Sequence, residues 1–599
     1  MSKSVSARDQ VETKYKWRSE DIYSDSGQWE EGVRALRTQA EAFRLYRGRV
    51  AENPMSAIRC FFDMHNLLSR LYTYAALQKD TDGGNPEYRS MYEKVSTLSV
   101  TVQSAASFLH PELITMGADA LGTLAANTQN ADFDRYILNI IREKPHILSE
   151  SEEYVLAMSG DIFQAPSDIF SSFTQVDLSF PDVHNEQGGM MKLTEANYFT
   201  FISSTQQKVR EEAFTALFST YASFGNTLAS AYAANVKKNK LLAGIRKFPS
   251  CAEAALFENE IPLSVYESLI AGVHNALPSL RDYLSLKQKA LGLDALHLYD
   301  LYCPLTPSSD LVLPYEDAYR MVVEGLAPLG ADYTEQLTRA YHERWLDVYP
   351  NIGKQAGAYS TAVYGCHPFI LLNHLDDLES TLTIAHELGH AMHSFYAMAH
   401  QPYPKHDYAI FAAEVASTCN EVIMLRYLIE KYSDNKAVLV CLINQFLEQY
   451  RTTVFRQTMF AEFEHLTHHM VENGEPLIYE SLSDAYYHLN EYYFGDACLI
   501  DPLIRNEWLR IPHFYSAFYV YQYATGFSAA VCLAERILNK EPGALEGYIR
   551  FLSAGSSIPP LEALKLAGVN MSTPEPVEKA MSAFVTLLMT MKTMLEPSA

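Results

Sequence analysis

His386 and His390 stand four residues apart in "TIAHELGHAMHSFYAMAH", residues 383 to 400, and Glu387 follows the first of them. On a helix that spacing puts both imidazoles on one face, one turn apart. Two ring nitrogens so placed can take adjacent corners of a zinc tetrahedron, with Zn–N distances of about 2.0–2.1 Å. Glu387 projects at the edge of the same face, where it can handle a proton of an attacking water without ligating the metal. The plain alternative is a set of hydrogen-bonded core histidines. A second pair provides contrast. His465 and His469 in "EHLTHH" share the spacing, but Leu466 stands where the base should be, so these rings are expected on a solvated face or satisfied by hydrogen bonds. His393, one turn beyond His390, would crowd the site and is expected behind it or in the core.

A catalytic zinc takes three protein ligands and keeps one position open. The extended HExxHxxGxxH pattern is absent, because His393 stands at its glycine and Tyr396 at its last histidine. The third ligand must therefore come from another element. "DYAIFAAEVASTCNEVIMLRYL" (407–428) reads as a helix with two interior acids, Glu414 and Glu421, seven residues apart on one face. Acids on the apolar side of a helix are costly unless paired or metal-bound. Glu414 is the better ligand candidate, and Glu421 could hold a ligating histidine in its tautomer. Two ordinary salt-bridged acids is the competing reading. Asp376, Asp377 and Glu379 are placed to start the motif helix. Gly389 costs ~1 kcal/mol against Ala in mid-helix. It marks either a weak point or the close approach of a neighbouring backbone, and both stay open.

The elements that must position these residues are mostly helical. Residues 56–77 and 87–109 carry apolar residues at three- and four-residue spacing around the turn-rich "DTDGGNP", a helical hairpin. Residues 133–160 predict two shorter helices around Pro145, the second opened by Ser149 with Glu152 in a capping box. Alternation and a Gly-Gly turn predict a β-hairpin near 172–193, and a second β element is expected over 356–375. Long helices resume from about 206. The fold class is mainly α with small β insertions. The division expected is an N-terminal helical domain over 1–200 and a catalytic domain over 201–599.

Composition bounds the rest. A 599-residue chain with 48% hydrophobic and 12% aromatic residues is globular. A net charge of −25 with no basic cluster argues against nucleic acid as a partner. No apolar run of signal-peptide or membrane-spanning length occurs, so neither a leader nor a membrane partner is expected. Eight dispersed cysteines without a CxxC pair suit reduced thiols and a cytoplasmic setting.

Together, "HELGHAMH" and "FAAEVASTCNE" resemble the oligoendopeptidase F branch of the thimet oligopeptidase-like metallopeptidases. The likeness extends to "YKWRSEDIY", to the 115–200 region, to "GAYSTAVYGCHPFILLNH" and to "IPHFYSAFYVYQYATGFSAAV" (511–531), and so covers nearly the whole chain. The resemblance implies one zinc ion per chain held by His386, His390 and Glu414, with Glu387 as catalytic base. It also implies two mostly helical parts enclosing a deep substrate channel. The strand region containing Gly357, Ala358 and Tyr359 would hold short peptide substrates by β-augmentation. In the late segment His513 and a tyrosine would stabilise the oxyanion. Fixed donors of this kind are worth about 10²–10³ in rate each. Tyr521 is favoured, with Tyr515 and Tyr519 lining the site and Tyr523 nearby, and at least two of the four tyrosines are expected to be packing residues. The function read from the sequence is zinc-dependent endopeptidase action on short unstructured peptides. A silent helical binding protein and a zinc hydrolase of non-peptide amides are the rival readings.

Overall fold

The structure, a computed structural model, describes residues 6–306 and 311–595. The first five residues of the N-terminal segment read above lie outside them. The fold is mainly helical, with two small sheets. Among the described residues no helix is long and apolar enough to cross a membrane. The chain packs as two compact units, neither of them continuous in sequence. One comprises 1–145, 310–428 and 530–569, and the other 146–309, 429–529 and 570–599.

In the first unit, the expected hairpin is formed by Pro54–Thr81 and Pro86–Ala106. Each helix opens on an asparagine cap followed by proline at the first helical position: Asn53 accepts from the Ser56 N–H and Asn85 from the Glu87 N–H. A further helix, Ser26–Phe43, lies against both. Trp29 is buried there with its indole N–H on the Leu71 carbonyl at 2.9 Å, so its polar atom is satisfied inside the core. The same core takes in Phe369 and Leu371 of a three-stranded sheet. In that sheet Phe369–Leu371 is central, antiparallel to Tyr359–Thr361 and parallel to the two-residue strand Leu346–Asp347. The helix Leu378–His400 follows the sheet and packs on it.

In the second unit, the predicted capping box forms, with Ser149 and Glu152 bonding reciprocally at the start of Glu150–Met158. The β-hairpin is shorter than expected: Asp182–His184 pairs antiparallel with Met190–Lys192 across Asn185–Gly189. Residues 173–177 are not strand. They continue the helix Gly160–Ser172 as a wide turn closed by the Leu178 N–H on the Phe173 carbonyl. Long helices, Leu263–Leu291, Arg456–Glu472, Tyr479–Phe494 and Glu575–Leu595, build the remaining core.

Candidate metal centre

The helix Leu378–His400 begins where the acids predict. Asp377 is its N-cap, with Oδ1 accepting the Ser380 N–H at 2.7 Å. About two and three turns into the helix, His386 and His390 project together, their Nε2 atoms 3.2 Å apart. The helix Ile410–Lys431 crosses behind them at the small residues Ala416 and Ser417. A β-carbon on Gly389 would lie 2.5 Å from Ser417 Cα and 2.7 Å from the Ala416 carbonyl oxygen. Of the two readings left open for Gly389, the structure therefore favours close backbone approach. Asn420 locks the crossing: its Nδ2 donates to the Ala385 carbonyl at 3.0 Å, and its Oδ1 accepts from the Tyr333 hydroxyl at 3.0 Å.

This crossing brings Glu414 Oε2 to 3.6 Å from both His386 Nε2 and His390 Nε2. The three donor atoms form a triangle with edges of 3.2, 3.6 and 3.6 Å. A tetrahedral zinc with bonds of about 2.05 Å needs edges of about 3.3 Å. The donor set and its spacing therefore fit such an ion. Among the described residues this is the one group of three metal-ligating side chains so close together. Glu414 is 43% exposed on its side chain, so the argument from buried acids does not apply to it. It applies to Glu421, at 19%. Ser417 orients Glu414, its Oγ donating to Oε2 at 3.1 Å.

Glu421 Oε1 lies 2.8 Å from His386 Nδ1, which makes Nδ1 the donor and leaves Nε2 facing Glu414 and His390. Burial works to lower the His386 pKa, but the hydrogen bond and charge of Glu421, with Glu387 and Glu414 nearby, outweigh it and raise the group to about 9. His390 moves the other way, lowered by burial and by the charge on His386. One proton thus suffices for the close Nε2 pair, and a cation between these atoms would replace it. Glu387 is 6% exposed, and its Oε2 is buried with no hydrogen-bond partner among the described residues. Burial raises its pKa to about 7, against the lowering effect of His386. A carboxyl poised there can both take and give a proton near neutrality. His393 is a core residue, its ring stacked on Tyr408 at 3.6 Å and its pKa lowered to about 3 by burial.

Gly357 and Ala358 precede the edge strand Tyr359–Thr361 and line a cavity of about 280 Å³ with Asn373, Asp377 and Thr383, the last one turn before His386. Gly357 has φ +84°, a conformation that favours glycine, and its carbonyl accepts from Asn373 Nδ2 at 2.7 Å. The Tyr359 hydroxyl is held by Asp80 at 2.9 Å.

His513 and the four tyrosines belong to the second unit. There the imidazole is grouped with Tyr519, parallel at 5.9 Å, and with Tyr523, edge-on at 6.0 Å. Burial, then the charge of Arg456, lowers the His513 pKa. Tyr521, the favoured donor, is 1% exposed with its ring 5.3 Å from that of Tyr266, and Tyr515 stacks on Phe170 at 4.5 Å. The rings beside His513 are thus Tyr519 and Tyr523, while Tyr515 and Tyr521 pack. Sequence reading missed Glu464, whose buried carboxyl accepts the Phe518 N–H at 2.6 Å and holds Phe518 at φ +52° just before Tyr519. Its one signal was an acid on an apolar helix face. His469, of the contrasting pair, is exposed and bonds Asn473, and its ring lies 6.5 Å from that of His465.

The sequence pattern of peptidase family M3 matches residues 200–583, and that of oligopeptidase F matches residues 112–180. This chain belongs to peptidase family M3. Within the family it is a homologue of oligoendopeptidase F. It is 41% identical to oligopeptidase PepF of Bacillus subtilis over 96% of this chain and 87% of that protein. It is 37% identical to group B oligopeptidase PepB of Streptococcus agalactiae over 96% of each. Among solved structures, a peptidase from Chlamydophila abortus superposes with a TM-score of 0.93 at 32% identity, covering 99% of this chain and 100% of that one. Oligoendopeptidase F from Enterococcus faecium matches with a TM-score of 0.74 at 34% identity, over 95% and 99%.

Proposed function

We propose that this M3-family protein is a zinc-dependent endopeptidase that hydrolyses internal bonds of short unstructured peptides. The observation that carries the reading is the triangle of His386, His390 and Glu414 donor atoms, next in sequence to a buried Glu387 oxygen that has no partner among the described residues. His386, His390 and Glu414 would hold the ion, and two imidazoles with one carboxylate suit zinc. Bound zinc supplies a Lewis acid for the scissile carbonyl and makes a water acidic enough to attack near neutral pH. Glu387 accepts the proton from the attacking water and delivers it to the leaving amine, a task that its raised pKa supports. Glu421 keeps the His386 Nδ1 proton in place, so that Nε2 presents its lone pair.

The free side of the edge strand Tyr359–Thr361 and the adjoining Gly357 and Ala358 would pair with the peptide backbone. His513 with a tyrosine of its segment would donate to the developing oxyanion. The grouping within that unit supports Tyr519 or Tyr523 above the buried Tyr521. Every residue given a role lies within 201–599, the stretch expected to be catalytic. Restriction to short peptides is proposed from the family, and a cytoplasmic setting from the eight dispersed cysteines without a CxxC pair.

The test is to incubate the protein with a defined peptide library, with and without chelator, and read cleavage sites by mass spectrometry. Internal cleavage abolished by chelation and restored by zinc is expected. No cleavage, or cleavage indifferent to chelation, refutes the proposal.

A further inference from the structure

The second unit contains a cavity of about 220 Å³ that none of the residues given a role above line. Three guanidiniums, Arg451, Arg456 and Arg510, face it together with two carboxylates, Glu195 and Glu507. Each arginine has one acidic partner. Arg451 donates through Nε and Nη2 to Glu448 at 3.0 and 2.7 Å, and Arg456 through Nη2 to Glu507 at 2.7 Å. Arg510 clasps Glu195 through Nε and Nη2. No hydrogen bond among the described residues uses Nη1 of these arginines or Nε of Arg456.

The carboxylates, by contrast, take further donors: Glu507 also accepts from Tyr486, Glu195 from Tyr221, and Glu448 from Lys287. The carboxylates facing the cavity are thus engaged by several donors each, whereas the guanidiniums keep N–H groups that no described residue takes up, beside the Asn490 amide. Rings hold the guanidinium planes, with Arg451 4.6 Å over Tyr302 and Arg510 5.4 Å over Tyr198. The remaining wall, Asn490 apart, is apolar and includes Phe199 and Phe214. Phe199 is 63% exposed, so that wall reaches the surface. The ion pairs by themselves would explain how the helices are joined. They do not explain why three guanidiniums with unused N–H groups line one aromatic cavity.

We propose that this cavity binds a small organic carboxylate, with its charged end on the free N–H groups of Arg451, Arg456 and Arg510 and its apolar body against Tyr198, Phe199 and Phe214. A planar guanidinium fork matches a carboxylate in geometry and charge. An apolar pocket with a few convergent polar groups is the usual form of a small-molecule site. The volume lies below the roughly 300–1,000 Å³ of drug-sized sites, which limits the ligand to a smaller molecule. The inference does not depend on the peptidase reading.

The probe is 3-phenylpropionate, compared by calorimetry with its neutral amide and with inorganic phosphate. Both the zinc-loaded and the chelated full-length protein are used, because a carboxylate also has affinity for a metal centre. The carboxylate is expected to bind one per chain with or without metal, and the amide at least about tenfold more weakly. Arg456→Gln should weaken binding roughly ten- to hundredfold. Phe199→Ala, at an exposed ring whose loss leaves the fold intact, should weaken it several-fold and carries the test if the arginine variant does not fold. A soaked crystal should show the probe in this cavity. Binding that vanishes with the metal, equal binding of the amide, phosphate binding as tightly as the carboxylate, or density only elsewhere would each overturn the proposal.

Discussion

Gly389→Ala examines the geometry that brings Glu414 to the histidines. The added β-carbon would sit 2.5 Å from Ser417 Cα and 2.7 Å from the Ala416 carbonyl oxygen, both backbone atoms of the crossing helix. Carbon pairs rest at about 3.5–4.0 Å, so the helices must part by about 1 Å. That retreat stretches the 3.0 Å bond from Asn420 to the Ala385 carbonyl past hydrogen-bond range. Overpacking costs about 1–3 kcal/mol and the lost buried bond about 1 kcal/mol, against a gain of ~1 kcal/mol in helix propensity. The net expectation is a loss of about 1–3 kcal/mol. Zinc sites tolerate displacements of about 0.2 Å, and Glu414 lies three residues before Ser417, so metal affinity should fall at least about tenfold. Thermal unfolding of the chelated protein and zinc competition titration measure the two effects. A Gly389→Ala variant with unchanged or raised melting temperature and undiminished zinc affinity would refute the reasoning and reduce Gly389 to a weak point in the helix.

Other expectations concern single interactions. Glu421→Gln keeps the size but not the charge beside His386 Nδ1, and zinc affinity should drop about 10–100-fold in the same titration. Alanine at His386, His390 or Glu414 should each abolish stoichiometric zinc, while His465→Ala and His469→Ala should leave metal content unchanged; full zinc in His390→Ala would sink the ligand set. Burial alone would raise the Glu448 pKa, but the charges of Arg451 and Lys287 hold it down at about 2, below its ordinary 4.5. A carboxylate so depressed stabilises the fold above pH 4.5, by about 3 kcal/mol, and that contribution is lost as pH falls from 4.5 through 2. Glu448→Gln should therefore unfold more easily at pH 7 and show a shallower loss over that acid window in denaturant titrations.

The parts of the site that were legible in the sequence are those set by spacing along one helix. His386 and His390 needed only their four-residue separation, and Asp377 and Ser149 announced their helices through capping chemistry. What a crossing element supplies was legible only as alternatives. Gly389 could be a defect or a contact until Ala416 and Ser417 lay against it. Glu414 was chosen as an interior acid, yet its side chain is the more exposed of the pair. Among the tyrosines helical periodicity could not decide, because Tyr519 precedes the helix Tyr521–Leu538. The turn at Phe518 brings the Tyr519 ring against that of Tyr523, whereas Tyr521 turns into the core. The strand Leu346–Asp347 is too short to show alternation, and the alternation over 173–177 belongs to a helical turn.

Glu387→Gln separates the proton acceptor from the metal ligands. Glutamine nearly preserves the side chain's shape and can still hydrogen-bond a water, but it cannot accept that water's proton. Zinc content, peptide affinity and turnover are measured on the same preparation. With Glu387 as proton acceptor, the variant should keep stoichiometric zinc and near-normal peptide binding and lose at least about 10²–10⁴-fold in turnover. Loss of the zinc would make Glu387 a ligand, and near-full turnover would place the proton acceptor elsewhere; either result contradicts the mechanism.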